Sequence, residues 1–587
     1  MNKGKEKLII YQLFPRIFTN LNPNCVPWGT LKQNGSGKLN DFTPQILQSI
    51  KDLGVNCLWL TGIIEHATKT DFSEYGITPD NPNVVKGEAG SPYAIKDYYD
   101  IDPALAELVP DRMKEFESLV RRIHKEKMKV IIDFVPNHTA RVYHSDVAPK
   151  GIDDFGTTDN TNMNFARDNN YYYISNQQFY PDFDLSAEGN KPYVEFPAKA
   201  TGNDCFTAFC SKNDWYETVK LNYGHDYNDH SDHFDPVPDT WLKMLHILRF
   251  WVSKGIDGFR CDMVFMVPLP FWHWAIPQVK AVYPHVIFIG EIYDVGQYRP
   301  FLDYGCFDYL YDKVNLYDTL VGIETRGLSA AQLTGCWQTV DGIGDSMLNF
   351  LENHDEVRFG SREYAGDSLR VIPSLVTSAM ISKGPFMLYY GQELGEQARD
   401  NEGFAGDNNR TTIFDYWSLS TIRRWMNGGK CNDELLSPHE RWLRNVYKTV
   451  LTLCNSRDAL RRGDFFDLMY FNLRQPGFNP HTNFAFLRYY KDDVLLIIVN
   501  FARQGCNVSL VIPDLAFEMA GLERGEIVST DLLWGKSHKL NLSSTVPLTV
   551  YMSAADALVL PVGKLKTSHV DKMSGSELRK GKHEKEK

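Results

Sequence analysis

The chain repeats one pattern through its first two-thirds: a short run of apolar, β-branched residues, then a longer stretch with apolar residues at helical spacing. LIIYQLF near the start is the first such run. Thr43-Pro44 then opens a helix whose Ile46, Leu47, Ile50 and Leu53 share one face. Thr43 suits the N-cap, Pro44 the first helical position and Gly54 the end. CLWLTGI (57–63) is the next strand, and Met113, Phe116, Leu119, Val120 and Ile123, following Asp111, mark the next helix. VIIDFV (130–135) is so continuously apolar that burial on both faces is expected, as in parallel strands. Further strands are predicted at 257–262, 286–290, 307–311, 347–351 and 386–390. Eight strands separated by helical segments predict an α/β fold, a (β/α)₈ barrel rather than an open sheet.

The rhythm breaks twice. Residues 139–239 are rich in Asn, Asp, Tyr and Gly and are too long for an ordinary barrel loop, which predicts a small domain inserted after the third strand. The barrel then comprises 1–138 and 240–463. From about Gly463 the pattern becomes all-β (FAFLRYY, VLLIIVNF, VSLVI, LTVYM, ALVLP), which predicts a C-terminal β-sandwich over 464–563. Residues 564–587 are Lys-rich and polar, ending KGKHEKEK, and are expected to be a disordered, solvated tail rather than an interaction arm.

Composition narrows the class. A chain of 587 residues accommodates two to four domains, and 43% hydrophobic with 23% charged residues is the balance of a packed globular protein. A net charge of −12 argues against nucleic acid as the main partner. No stretch reaches the roughly 18 apolar residues of a membrane helix. The N-terminal run is followed by Pro15 and Arg16 without a small-residue cleavage site, so it reads as a strand and not a signal peptide. Ten Cys without framework spacing suit reduced thiols, although Cys205 and Cys210 are near in sequence. A cytoplasmic location is expected, with a periplasmic or secreted one as the alternative if a leader precedes this sequence. The 12 Trp and 30 Tyr suit sugar rings, though packing accounts for more of them.

Four segments put polar residues at or just past predicted strand ends: DFVPNH (133–138), GFRCDMVF (258–265), GEIY (290–293) and LENHDE (351–356). In a parallel barrel these ends form one face, so Asp133, His138, Arg260, Asp262, Glu291, His354 and Asp355 are expected to converge. Any one segment alone is an ordinary cap or turn; the four in order are a site. Glycoside cleavage needs a carboxylate pair across the scissile bond. Arg260 and Asp262, two residues apart, face the same way along a strand, so the guanidinium is expected to favour the ionised carboxylate. Glu291, ending an apolar strand, is expected to be raised by desolvation and neighbouring carboxylates, as a general acid requires.

These four segments resemble the four short conserved regions of the α-amylase family, family 13 of the glycoside hydrolases. The resemblance runs from IIYQLFPRIF through GPFMLYYGQE (384–393) to the C-terminal strands, sparing only the tail. It implies a retaining enzyme with Asp262 as nucleophile, Glu291 as general acid/base and Asp355 as transition-state stabiliser. It further implies substrate positioning by Arg260, His138 and His354, support from Asp133, and Tyr93 of GSPYAIKDYY stacking under the sugar. Arg358 stands where many members place an active-site arginine, and 139–239 would be the family's domain B. The implied substrate is an α-glucan or maltooligosaccharide. Where many α-amylases carry Lys-His after the nucleophile, this chain has Phe265-Met266, and VKLNYG (219–224) is more similar to neopullulanase-like members. No cofactor is required by the implied mechanism. The family's common calcium site uses an asparagine matching Asn137, but Asn222 stands where an acid is expected, which argues against calcium. Hydrolysis and transglycosylation within the family differ in how the acceptor site excludes water, and both readings stay open. A non-catalytic amylase-like subunit is disfavoured because all three carboxylates are kept and no membrane helix is present.

Overall fold

The computed structural model describes residues 6–189 and 191–563. Eight strands close into a parallel barrel: β1 (Ile9–Leu13), β2 (Cys57–Leu60), β3 (Lys129–Phe134), β4 (Gly258–Cys261), β5 (Ile287–Gly290), β6 (Tyr309–Tyr311), β7 (Met347–Phe350) and β8 (Phe386–Tyr389). All eight fall on the runs predicted from apolar patterning. Neighbours in sequence are neighbours in the barrel, and Ile9 opposite Phe386 closes the ring. β1, β2, β7 and β8 are buried along their whole length. Alternation divides their side chains between two cores. Ile10, Trp59, Ile131, Ile289, Leu348 and Met387 fill the barrel interior, while Ile9, Leu58, Ile132 and Leu388 join the large outer core against the helices.

Local chemistry explains the helices that hold the strands apart. In α1 (Pro44–Lys51) the Thr43 hydroxyl accepts from the Ile46 N–H at 3.3 Å, with Pro44 in the first turn. In α2 (Arg112–Lys125) Phe116, Leu119, Val120 and Ile123 are buried, and the face between them is polar. Between β3 and α3 (Asp239–Ser253), the strands among the described residues are two or three residues long. One of them, Thr218–Lys220, pairs antiparallel with His138–Ala140, tying this segment to the end of β3.

Past the barrel, Asp464–Asp467, Asn483–Tyr490, Asp493–Asn500 and Asp556–Pro561 form a four-stranded antiparallel sheet, flanked by two-stranded ribbons. This β-rich region differs from the all-β expectation in two elements, the one-turn helix Met469–Asn472 and the longer helix Asp514–Ala520. The longer one, DLAFEMA, is built largely of helix formers and is stopped by Gly521 in the left-handed conformation (φ 62°). Asp467 fastens the sheet to the barrel by accepting from Thr334 Oγ1 (2.6 Å) and Trp337 Nε1 (2.8 Å). The Lys-rich tail expected at 564–587 lies outside the described residues.

Candidate active site

The inward column of the barrel builds the site. Ile10, Ile131 and Ile289 point into the interior, and two residues further along each segment stand Gln12, Asp133 and Glu291. The same period of two therefore changes the column from apolar to polar at the C-terminal mouth. Arg260 sits opposite Asp133 in the β3–β4 register and is 1% exposed. Its Nη1 lies 2.6 Å from Asp262 Oδ1 and 3.5 Å from Asp133 Oδ1, and its Nη2 lies 2.5 Å from Glu291 Oε1. One guanidinium thus spans the two carboxylates of interest, with the hydroxyl of Tyr311 accepting from Nε at 3.3 Å.

Glu291 is held from two further directions. Tyr293 donates its hydroxyl to Oε1 (2.7 Å) and the Met263 N–H donates to Oε2 (2.9 Å). Met263 adopts φ 42°, ψ 49°, a left-handed conformation that costs a bulky residue energy and that delivers this N–H. Asp262 departs from the expectation that Arg260 keeps it readily ionised. Burial pushes its carboxyl well up, the guanidinium opposes this, and Glu291 and Asp133 add to it. Three carboxylates around one guanidinium retain a proton more readily than one carboxylate beside it would.

A second cluster faces the first. The Gln12 amide donates to His354 Nδ1 (2.9 Å), so the ring proton belongs on Nε2. That nitrogen lies 2.6 Å from the Tyr93 hydroxyl and 3.0 Å from Asp355 Oδ2. The Tyr93 and His354 rings stack with centroids 5.2 Å apart. Desolvation pushes the Asp355 carboxyl up, but His354, with Arg260 and Arg410, outweighs it and holds the value at about 2. His138 is pushed down to about 3 by burial and by the Lys220 and Lys86 ammoniums, so it meets a substrate as a neutral ring. A cavity of about 270 Å³ lies over these groups, lined by Tyr93, His138, Asp262, Glu291 and Asp355.

Of the residues anticipated from sequence, the structure brings together Tyr93, Asp133, His138, Arg260, Asp262, Glu291, His354 and Asp355. Arg358 does not join them. It is fully buried, its Nη1 bonds Glu352 Oε2 (3.0 Å) and the Tyr390 carbonyl (2.8 Å), and its other nitrogens bond Thr411 Oγ1 (3.0 and 2.7 Å). Every direction a sugar could approach from is already occupied by protein. Arg358→Ala is accordingly expected to strand the buried Glu352 carboxylate and to cost ~3–5 kcal/mol of stability. A thermal-unfolding midpoint equal to wild type would contradict this placement.

Asn137 also has a partner of its own. Lys220 Nζ lies 2.5 Å from Asn137 Oδ1, 3.0 Å from the Met266 carbonyl and 2.7 Å from Asp204 Oδ1. Asn222, where an acid was expected, donates instead to the Ala166 and Asn169 carbonyls. The acid near Asn137 is Asp204, and it faces an ammonium. Residues that sequence reasoning missed include Gln12, Trp59 (whose Nε1 donates to Asp133 Oδ2 at 3.0 Å), Met263 and Tyr293. Gln12 and Tyr293 were within reach, being two residues from Ile10 and Glu291 on the same alternation. The ion pair Lys86–Glu217 (2.8 Å), at the edge of the cavity with Trp215, had no local signal.

A parallel barrel with buried carboxylates gathered on an arginine at its C-terminal mouth is the architecture of a (β/α)₈ glycoside hydrolase. Residues 12–295 match the α-amylase catalytic-domain family model. α-Amylase 3 of Dictyoglomus thermophilum is 23% identical over 479 residues, covering 78% of this chain and 79% of that protein. Neopullulanase 2 of Thermoactinomyces vulgaris is 22% identical over 524 residues, covering 87% and 72%. Among solved structures, an α-amylase from Geobacillus thermoleovorans superposes with a TM-score of 0.61 at 19% identity, over 96% of this chain and 100% of that one; that likeness speaks for the fold. Residues 12–295 thus carry the α-amylase catalytic-domain pattern, and over most of its length the chain is similar to amylase-type glycoside hydrolases, a neopullulanase among them. Among the described residues, no helix is long and apolar enough to cross a membrane.

Proposed function

We propose that the protein is a retaining α-glucan hydrolase that cleaves α-glucosidic bonds in maltooligosaccharides. The observation that carries this reading is the shared guanidinium: Asp262 and Glu291 both contact Arg260, at 2.6 and 2.5 Å. A single bridging side chain favours the short carboxylate separation, about 5–5.5 Å, that suits direct attack, over the wider gap an inverting enzyme leaves for water. Asp262 attacks the anomeric carbon while Glu291 gives its proton to the departing oxygen, forming a covalent glycosyl-enzyme. Glu291 then takes a proton from water, which attacks the same carbon and releases Asp262. Asp355, ionised beside His354, binds sugar hydroxyls as positive charge grows on the ring, and Tyr93 offers its face beneath it. Residues 139–239 act as domain B and wall the cleft through Trp215, Glu217 and Thr218. The test is incubation with maltoheptaose, pullulan, isomaltose and trehalose followed by chromatography of the products. Release of shorter maltooligosaccharides from maltoheptaose supports the reading. Longer chains formed from maltoheptaose would assign a transglycosylase instead, and an untouched panel would overturn both.

We further propose that no calcium is needed at Asn137. A calcium ion takes six to eight oxygen ligands. Here the Asn137 amide oxygen, the Asp204 carboxylate and the Met266 carbonyl converge on the Lys220 ammonium. A divalent cation beside that ammonium would meet direct repulsion, so these residues do not fit the ion. Exhaustive chelation with EDTA is expected to leave activity and the unfolding midpoint unchanged. Loss of activity in the chelated, folded protein, restored by calcium alone, would contradict the proposal.

A further inference from the structure

The proposed reaction accounts for the cavity but not for the aromatic residues that lead out of it. Phe414 lines the cavity. Its ring contacts Phe404 with centroids 5.2 Å apart, and Phe404 contacts Trp28 at 6.1 Å. Burial falls along this series: Phe404 is 36% exposed and Trp28 is 51% exposed. Three rings therefore run from the cavity wall to open surface.

The series is built rather than incidental. Trp28 belongs to the loop after β1, and Phe404 and Phe414 to the loop after β8, its neighbour in the barrel. The two loops meet at Gly403, which has φ 101° and would bring a Cβ to 3.0 Å from the Trp28 nitrogen. Asp415 holds the turn by accepting from the Phe404 N–H (3.2 Å) and from Thr412 Oγ1 (2.7 Å). Trp28 itself adopts φ 59°, a conformation a bulky side chain rarely takes. Such strain persists only where the surrounding structure imposes it, and it collects at functional positions. The series joins the catalytic cavity through Phe414, which lines it together with Asp262, Glu291 and Asp355.

We propose that Phe414, Phe404 and Trp28 form an extended subsite that binds the glycosyl units of an α-glucan lying beyond the cavity. The inference rests on the α-glucan reading above and adds the path of the chain. A cavity of about 270 Å³ is at the small end for ligand sites, so a long substrate must continue outside it. Sugar rings present a face of C–H groups flanked by hydroxyls, and an exposed aromatic ring covers such a face while leaving the hydroxyls in water. The occupant is thus a maltooligosaccharide longer than the cavity accepts, held by stacking and not by charge.

The measurement compares kcat/KM for maltoheptaose with kcat/KM for 4-nitrophenyl α-glucoside, which is too short to reach Trp28. In Trp28→Ala the ratio of the two is expected to fall about three- to tenfold, the loss being in KM for maltoheptaose. Trp28→Phe, which keeps an aromatic face, is expected to recover most of it. Phe404→Ala, read the same way, is expected to lower the ratio as well and serves if Trp28→Ala does not fold. An unchanged ratio in the folded variants, or an equal fall for both substrates, would overturn the subsite. Wild-type protein on the same two substrates separates the readings: if it cleaves neither, the α-glucan function fails, and if it cleaves both while the ratio stays fixed, the platform alone fails.

Discussion

Asp262→Asn is expected to abolish turnover of maltooligosaccharides, with kcat falling on the order of 10⁴–10⁶. The amide is isosteric with the carboxylate but offers no charge for covalent attack. It also gives up the 2.6 Å ion pair with Arg260, leaving that guanidinium to Glu291 and Asp133. Two carboxylates then share one cation where three did, so the buried cluster stays balanced and the fold is expected to survive with a native circular-dichroism spectrum. Steady-state rates on maltoheptaose provide the test. A variant retaining a tenth of wild-type activity would remove Asp262 from the role of nucleophile.

Glu291→Gln is expected to show a loss that depends on the leaving group. With maltoheptaose the departing oxygen needs a proton, and loss of the acid should cost about 10²–10⁴ in the glycosylation step. With 4-nitrophenyl α-glucoside the leaving group departs as a stable anion, so the same step should be much less impaired. Tyr293 and the Met263 N–H, which hold the Glu291 oxygens at 2.7 and 2.9 Å, also hold a glutamine in place, although one of the two oxygens becomes an amide nitrogen. Equal damage to glycosylation by both substrates, read from pre-steady-state release, would exclude Glu291 as the acid.

The barrel was legible because most of its strands are short, nearly uninterrupted apolar runs, a pattern that burial on both faces rewards. The site was legible for a related reason. Asp133 and Glu291 stand two residues beyond the inward-facing Ile131 and Ile289, and Asp262 two beyond Arg260, so the period of two carries these positions from the barrel interior to the open mouth. What escaped sequence reasoning depends on contacts between separate loops. Lys220 lies on a strand of the 139–239 segment and reaches Asn137 only because Thr218–Lys220 pairs with His138–Ala140. Lys86 and Glu217 meet across the cavity edge by the same kind of tertiary approach. Arg358 was expected at the site because the resemblance implies an arginine there; the chain beyond β7 turns it onto Glu352 and Thr411, away from the cleft. The helix Asp514–Ala520 was overlooked within a region dominated by alternating strands, although its own residues favour helix.

The central claim, a covalent intermediate on Asp262, is tested most directly by trapping it. Glu291→Gln incubated with α-glucosyl fluoride should form the glycosyl-enzyme, since fluoride departs without an acid, and should hydrolyse it slowly, since no base activates water. Intact-mass spectrometry followed by peptide mapping is expected to find one glucosyl unit on the peptide that contains Asp262. A glucosyl unit on any other residue, or consumption of the fluoride to β-glucose without an adduct, would contradict it.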